Sequence, residues 1–295
     1  MTCAVYGFPE QAEASLRLAR SLGLAHLMVE VHSFPDGESL VRVDTSPDTA
    51  LLYRSLDHPN AKMIEVLLAA SALRDNGAAR VIFIVPYLAY MRQDAAFRAG
   101  EAVSQRVIGK LLAGSFDALL TLDPHLHRTR SLATVMPDIA AVALSAAPAL
   151  GAAIDESDDP LLVGPDGEAR QWVERIAERK GLEFVLGRKL RVGDREVRLD
   201  ISDAERARGR KAIVVDDLIS TGATLKVAAR LLLQAGASSV EVLATHCLAS
   251  AADLEALRAA GVDRIRATDS VPGAVGILPI AAVLADAIRR QGWCL

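Results

Sequence analysis

The chain has 295 residues, of which 51% are apolar and 24% charged, with a net charge of −4. That length exceeds one ordinary core and suits two domains, and the composition is that of a folded globular protein. With no basic tract and only 4% aromatics, a nucleic-acid partner held by phosphate contacts or base stacking is not expected.

Cys3, Cys247 and Cys294 lie far apart and form no CxxC pair and no zinc spacing. Free thiols in a reducing cytoplasm are therefore expected. No basic segment followed by an apolar run opens the chain, so no signal peptide is expected. The longest uncharged stretch, Ile139 to Ile154, is too short for a membrane span and contains Pro148. A cytoplasmic chain without membrane association follows.

In chain order, Ala4 to Tyr6 is a weak strand, and Gln11 to Leu22 has helical spacing ended by Gly23. Val29 to Phe34 reads as a strand, Pro35 to Glu38 as a charged turn, and Leu51 to Tyr53 as a strand. Ala61 to Asn76 is a helix stopped by Gly77. Arg80 to Pro86 contains Val-Ile-Phe-Ile-Val, a continuous apolar run that suits a parallel strand buried on both faces. A loop spans Tyr87 to Glu101, followed by helix Ser104 to Leu112 and strand Asp117 to Leu122.

Ala140 to Asp159 carries little pattern and marks the domain boundary. Beyond it come strand Leu161 to Val163, helix Glu168 to Arg179 and strand Phe184 to Leu186. A charged loop from Gly187 to Asp194 leads to strand Val197 to Ile201. Strand Lys211 to Val215, helix Ala223 to Gln234, strand Val240 to Thr245 and helix Ala251 to Ala260 follow. Strand Arg264 to Thr268 and helix Pro279 to Arg290 complete the series. This alternation predicts an α/β chain of two tandem domains, 1–143 and 144–278, each a mainly parallel sheet flanked by helices. Ligands of such sheets sit at the carboxyl ends of the strands.

The apolar run Lys211 to Val215 leads directly into Asp216-Asp217. Two adjacent carboxylates repel one another, a cost that cations or sugar hydroxyls offset. Ser220-Thr221-Gly222-Ala223-Thr224 then precedes a helix. Gly222 permits a tight turn, and successive N–H groups with three hydroxyls face one point at the helix N-terminus. That is a phosphate cradle without a lysine. No GxGxxG is present, and Gly109-Lys110 is followed by Leu111, so there is no Walker A loop.

This stretch resembles the phosphoribosyl-pyrophosphate loop of type I phosphoribosyltransferases and ribose-phosphate pyrophosphokinases. The resemblance implies that Asp216 and Asp217 reach ribose hydroxyls and that Ser220, Thr221, Gly222, Ala223 and Thr224 hold the 5′-phosphate. Ala223 stands where the family often has a second glycine.

Further segments resemble the ribose-phosphate pyrophosphokinases specifically. Phe34-Pro35-Asp36-Gly37-Glu38 resembles a loop that contacts ATP across a subunit boundary, implying ATP-binding roles for Phe34, Asp36, Gly37 and Glu38. Pro86 to Asp94 resembles a run in which Arg92, Gln93 and Asp94 bind the nucleotide. Asp123-Pro124-His125 and Val163-Gly164-Pro165-Asp166 resemble segments that assign metal roles to His125 and Asp166; His127 is an additional imidazole. Arg188-Lys189-Leu190-Arg191 resembles a catalytic flap carrying Lys189 and Arg191.

The resemblance implies two phosphoribosyltransferase-like domains: an ATP-side domain, on which 279–295 is expected to pack, and a ribose 5-phosphate domain. It also implies Mg²⁺ as cofactor, ATP and ribose 5-phosphate as substrates, and a homo-oligomer with the ATP site near a subunit interface. The implied reaction is transfer of the β,γ-diphosphoryl group of ATP to the C1 hydroxyl of ribose 5-phosphate. The alternatives are a salvage phosphoribosyltransferase, which has no need of the Arg92 run, and a non-catalytic regulatory homologue.

Overall fold

The computed structural model describes residues 2–45, 47–126, 128–129, 131–191 and 197–294, with 189–191 and 197–198 described in backbone only. The chain divides into two units, Met1–Leu144 with Pro279–Leu295, and Ser145–Leu278.

The first unit is built on a six-stranded sheet. Its strands are β1 (Cys3–Gly7), β2 (Ala25–Met28), β5 (Thr49–Tyr53), β6 (Arg80–Ile84), β7 (Ala118–Leu122) and β8 (Ala140–Leu144), in the order β2-β1-β5-β6-β7-β8. Every pairing is parallel. Between β2 and β5 the chain makes an antiparallel hairpin, β3 (Glu30–Ser33) with β4 (Ser39–Arg42). Helices α1 (Ala12–Leu22), α2 (Pro59–Asp75) and α3 (Ser104–Ala113) connect the strands. Leu52, Val66, Leu73 and Phe83 are fully buried in the core between sheet and helices. Each such side chain contributes roughly 1.5–3 kcal/mol by leaving water.

The second unit repeats this plan. Strands β9 (Leu161–Gly164), β10 (Phe184–Leu186), β13 (Lys211–Ile219), β14 (Ser239–Cys247), β15 (Arg264–Thr268) and β16 (Gly276–Leu278) are ordered β10-β9-β13-β14-β15-β16. All are parallel. Between β10 and β13 lies a second antiparallel hairpin, β11 (Arg188–Arg191) with β12 (Val197–Asp200). Helices α4 (Ala147–Ala152), α5 (Arg170–Lys180), α6 (Ala223–Gln234) and α7 (Ala251–Ala259) complete it. Ser250 and Asp253 close a reciprocal capping box at the start of α7. The hairpins β3–β4 and β11–β12 therefore occupy the same topological place in the two units.

Helix α8 (Ala281–Arg290) packs on α1, and Arg289 donates to the carbonyl of Ser21. This return brings Cys294 to Cys3 on β1, with a Cα separation of 5.7 Å, and the two form a disulfide. The expectation of three free thiols is thereby corrected, and Cys247 remains free. A separation of 291 residues in sequence hides the pairing from any spacing argument.

Other expectations also change. The Val29 to Phe34 segment is no single strand: Val29 is buried between β2 in the sheet and β3 in the hairpin. The weakly patterned 140–159 stretch contains β8 and α4. Arg188 to Arg191 is not loop but one arm of a hairpin. Strand β13 does not stop at Val215; its pairing with β14 runs on to Ile219 opposite Cys247. Among the described residues, no helix is long and apolar enough to cross a membrane.

Candidate active site

In the second unit, the extension of β13 puts both carboxylates inside the sheet's carboxyl end. Although successive strand residues ordinarily point to opposite faces, the side chains of Asp216 and Asp217 stay close enough to share a hydrogen bond. Asp217 is 5% exposed. Its backbone N–H donates to Asp216 Oδ1 at 3.0 Å. Burial, then the charges of Asp217 and Asp166, push the Asp216 carboxyl well above its ordinary range. Asp166 follows β9, where its Oδ1 accepts the N–H of Glu168 at 3.0 Å in a short side-chain-capped turn.

Ser220 and Thr221 are exposed and lead to Gly222, the N-cap of α6. Gly222 has φ +67°, and a Cβ there would stand 2.9 Å from Leu257 Cδ1. The left-handed turn and the close approach of α7 both require glycine. The first amides of α6, at Ala223 and Thr224, thus end the turn at a helix N-terminus, where an anion is favoured.

The first unit gathers a different set. The hairpin tip is closed by Gly37 N–H to Phe34 O at 2.9 Å and Phe34 N–H to Glu38 O at 2.8 Å, with Gly37 at φ +92°. Asp36 Oδ1 accepts from Glu38 N–H at 3.1 Å, and Phe34 packs edge-on to His32. The tip end of the hairpin is fastened by Ser39, which pairs with Ser33 beside the turn and donates to Glu65 Oε1 at 3.0 Å. Buried Arg54 pairs with Glu65 at 2.5 Å and Glu10 at 2.8 Å, its guanidinium 3.9 Å above the Phe8 ring.

A cavity of about 190 Å³ lies over the β6 and β7 ends, lined by residues that include Tyr87, Tyr90, Arg92, Gln93, Ser104 and His125. Arg92, Gln93 and His125, expected from separate motifs, are thus brought together. Asp94 is turned elsewhere: its carboxylate accepts from Arg128 N–H, Nε and Nη2 at 3.0, 3.3 and 2.8 Å. The Arg128 hydrogen bonds hold the Asp94 carboxyl below its ordinary range.

His125 and Asp166 belong to different units. His127 lies outside the described residues, as do the side chains of Lys189 and Arg191, whose backbone is strand β11. Among the described residues no group of three or more His, Cys, Asp or Glu is arranged to hold a metal ion. The sequence reading missed Arg54, Gln105 and Arg128. Gln105 had a signal, a polar residue inside an amphipathic helix; Arg128 had none in a charged turn.

Two parallel α/β units, one with an acid pair ahead of a glycine-capped helix, define a phosphoribosyl-binding class of protein. Residues 5–115 match the family model described as the N-terminal domain of ribose phosphate pyrophosphokinase, and residues 140–273 match the phosphoribosyl transferase domain. The chain belongs to the ribose-phosphate pyrophosphokinase family. It is 35% identical to the ribose-phosphate pyrophosphokinase of Methanopyrus kandleri, over 95% of this chain and 97% of that one. It is 34% identical to that of Pyrococcus abyssi, over 85% and 87%. The crystal structure of phosphoribosylpyrophosphate synthetase from Mycobacterium smegmatis superposes with a TM-score of 0.82 at 25% identity, covering 99% of both chains.

Proposed function

We propose that this protein transfers the β,γ-diphosphoryl group of ATP to the C1 hydroxyl of ribose 5-phosphate, giving 5-phosphoribosyl 1-diphosphate and AMP. The observation that carries this reading is the Asp216–Asp217 pair, half-buried and buried, ahead of the Gly222-capped helix.

The acceptor's 5′-phosphate rests on Ser220, Thr221, Gly222, Ala223 and Thr224, and its ring hydroxyls face Asp216 and Asp217. The nucleotide is held by the first unit. Arg92 and Gln93 grip the phosphates from the cavity wall, and Phe34, Asp36, Gly37 and Glu38 approach the base from the hairpin tip. The C1 hydroxyl oxygen attacks the β-phosphorus and releases its proton, the bond from that phosphorus to the α,β-bridging oxygen breaks, and AMP leaves with the bridging oxygen. Such a transfer depends on positioning and charge neutralisation. Lys189 and Arg191 provide positive charge for the migrating group and exclude water, whose attack would waste ATP.

Asp166 and Asp216 would offer oxygen donors to a hard cation, and the cost of ionising Asp216 beside Asp217 and Asp166 is what such a cation relieves. Mg²⁺ bound there would neutralise phosphate charge. On the first unit, His125 would meet a nucleotide-borne Mg²⁺ through its water shell, since imidazole is a poor direct ligand for it. Exposed Leu40 on β4 and Ile64 and Leu68 on α2, elements that pack together, offer apolar surface for a homo-oligomer.

The test is incubation of the pure protein with ATP, Mg²⁺ and ribose 5-phosphate. AMP formation that depends on ribose 5-phosphate supports the assignment. Absence of AMP, with base-dependent pyrophosphate release from 5-phosphoribosyl 1-diphosphate, would replace it by a salvage transferase.

A further inference from the structure

Two turns frame the cavity of the first unit. One carries Arg92 and Gln93 after β6, and the other carries His125 after β7. Each begins with a backbone that resists its own residue. Tyr90 has φ +65° and Asp123 φ +33°, a region unfavourable to side chains with a Cβ. Such conformations persist only where the surroundings hold them.

The holding contacts are specific. Gln105, in the first turn of α3 and 4% exposed, is bonded in three directions. Its backbone N–H donates to Gln93 O at 3.3 Å, and its side-chain amide donates to Met91 O at 3.1 Å. Its Oε1 accepts from Thr129 Oγ1 at 2.8 Å. One buried amide therefore ties α3, the Arg92 turn and the His125 turn together. Beside it, Asp94 and Arg128 join the same two turns through three hydrogen bonds to one carboxylate. The Asp94 side chain is 4% exposed and that of Arg128 65%. The Arg128 guanidinium also lies 5.4 Å from the Phe97 ring centroid. A charge-assisted, multidentate pair of this kind fixes direction as well as distance.

We propose that Gln105 and the Asp94–Arg128 pair are positioning residues that set the gap between the Arg92–Gln93 turn and the His125 turn, and thereby the grip on the ATP phosphates. This rests on the nucleotide role assigned to that cavity above. Asp94 then acts on the nucleotide through the turn it fastens. A bare carboxylate would repel a polyphosphate, and this one is already engaged.

The test measures ATP affinity by calorimetric titration, and KM for both substrates, for the full-length protein and its Arg128→Ala, Arg128→Lys, Asp94→Ala, Arg128→Ala/Asp94→Ala and Gln105→Met variants. Arg128→Ala, Asp94→Ala and Gln105→Met are each expected to weaken ATP about tenfold. KM for ribose 5-phosphate should hold. The double variant should be no worse than either single one, because both remove one interaction. Arg128→Lys should lose only about threefold, since the charge survives without the fork. In Arg128→Ala, an exposed change, KM for ATP should rise while kcat stays within about threefold. ATP affinity unchanged in Arg128→Ala, or additive losses in the double variant, would overturn the proposal. A wild-type protein that binds ATP yet makes no AMP overturns the assigned reaction and leaves the clamp judged by the titrations. Failure to bind ATP at all overturns both.

Discussion

Asp216 accepts, through Oδ1, the backbone N–H of the very next residue, Asp217, at 3.0 Å. The bond stabilises an ionised Asp216, yet burial and the charges of Asp217 and Asp166 outweigh it and raise the carboxyl's pKa. In the folded protein Asp216 keeps its proton at pH values where the unfolded chain has lost it. Stability therefore falls as pH climbs from the ordinary carboxylate range toward the raised folded value. Asp216→Asn should raise the Tm of the ligand-free protein by about 2–4 °C at pH 7.5 and change it little at pH 4. The same variant should bind ribose 5-phosphate at least about tenfold more weakly. Thermal unfolding at the two pH values checks the first claim, and a Tm lowered at pH 7.5 would refute it.

Gly222→Ala places a Cβ in a left-handed turn and 2.9 Å from Leu257. The backbone alone costs about 1–2 kcal/mol. Urea unfolding should show at least that loss, and the double variant with Leu257→Ala should not recover it relative to Leu257→Ala alone. If the glycine serves the phosphate cradle, ribose 5-phosphate affinity falls in Gly222→Ala and in the double variant alike.

Lys189→Ala should lower kcat by a factor of about 10², with both KM values within about threefold of the wild type. Steady-state kinetics with each substrate varied decides this. An unchanged kcat would remove Lys189 from the reaction.

Cys294→Ser opens the Cys3–Cys294 link, and the expected loss of stability is about 2–4 kcal/mol. Wild type in excess dithiothreitol should unfold at the same temperature as the variant in air. A reductant effect that persists in Cys294→Ser would point to Cys247 instead.

Much of the site was legible because its residues cluster in sequence at strand ends. The run Val81 to Val85 announces a strand buried on both faces, and Arg92 and Gln93 follow it closely. Asp216 to Thr224 announces itself by chemistry, since adjacent acids before a glycine-capped helix have no cheap structural reason. The extension of β13 through those acids was not legible, because a carboxylate lowers strand propensity while pairing with β14 overrides it. The Asp94–Arg128 pair was equally hidden. Its partners are 34 residues apart, and each alone reads as a solvated loop charge. Arg54 reads as the exposed end of a strand until Glu10, Glu65 and Phe8 are seen around it.

The return of 279–295 to the first unit has a consequence for how the molecule comes to be made. The second unit is one uninterrupted segment and has all its strands once Leu278 has been translated. The first unit, although translated earlier, waits for α8 to cover α1 and for Cys294 to reach Cys3. During vectorial synthesis the half begun first is thus the half finished last, and α1 stays uncovered on the nascent chain through the translation of all of 145–278.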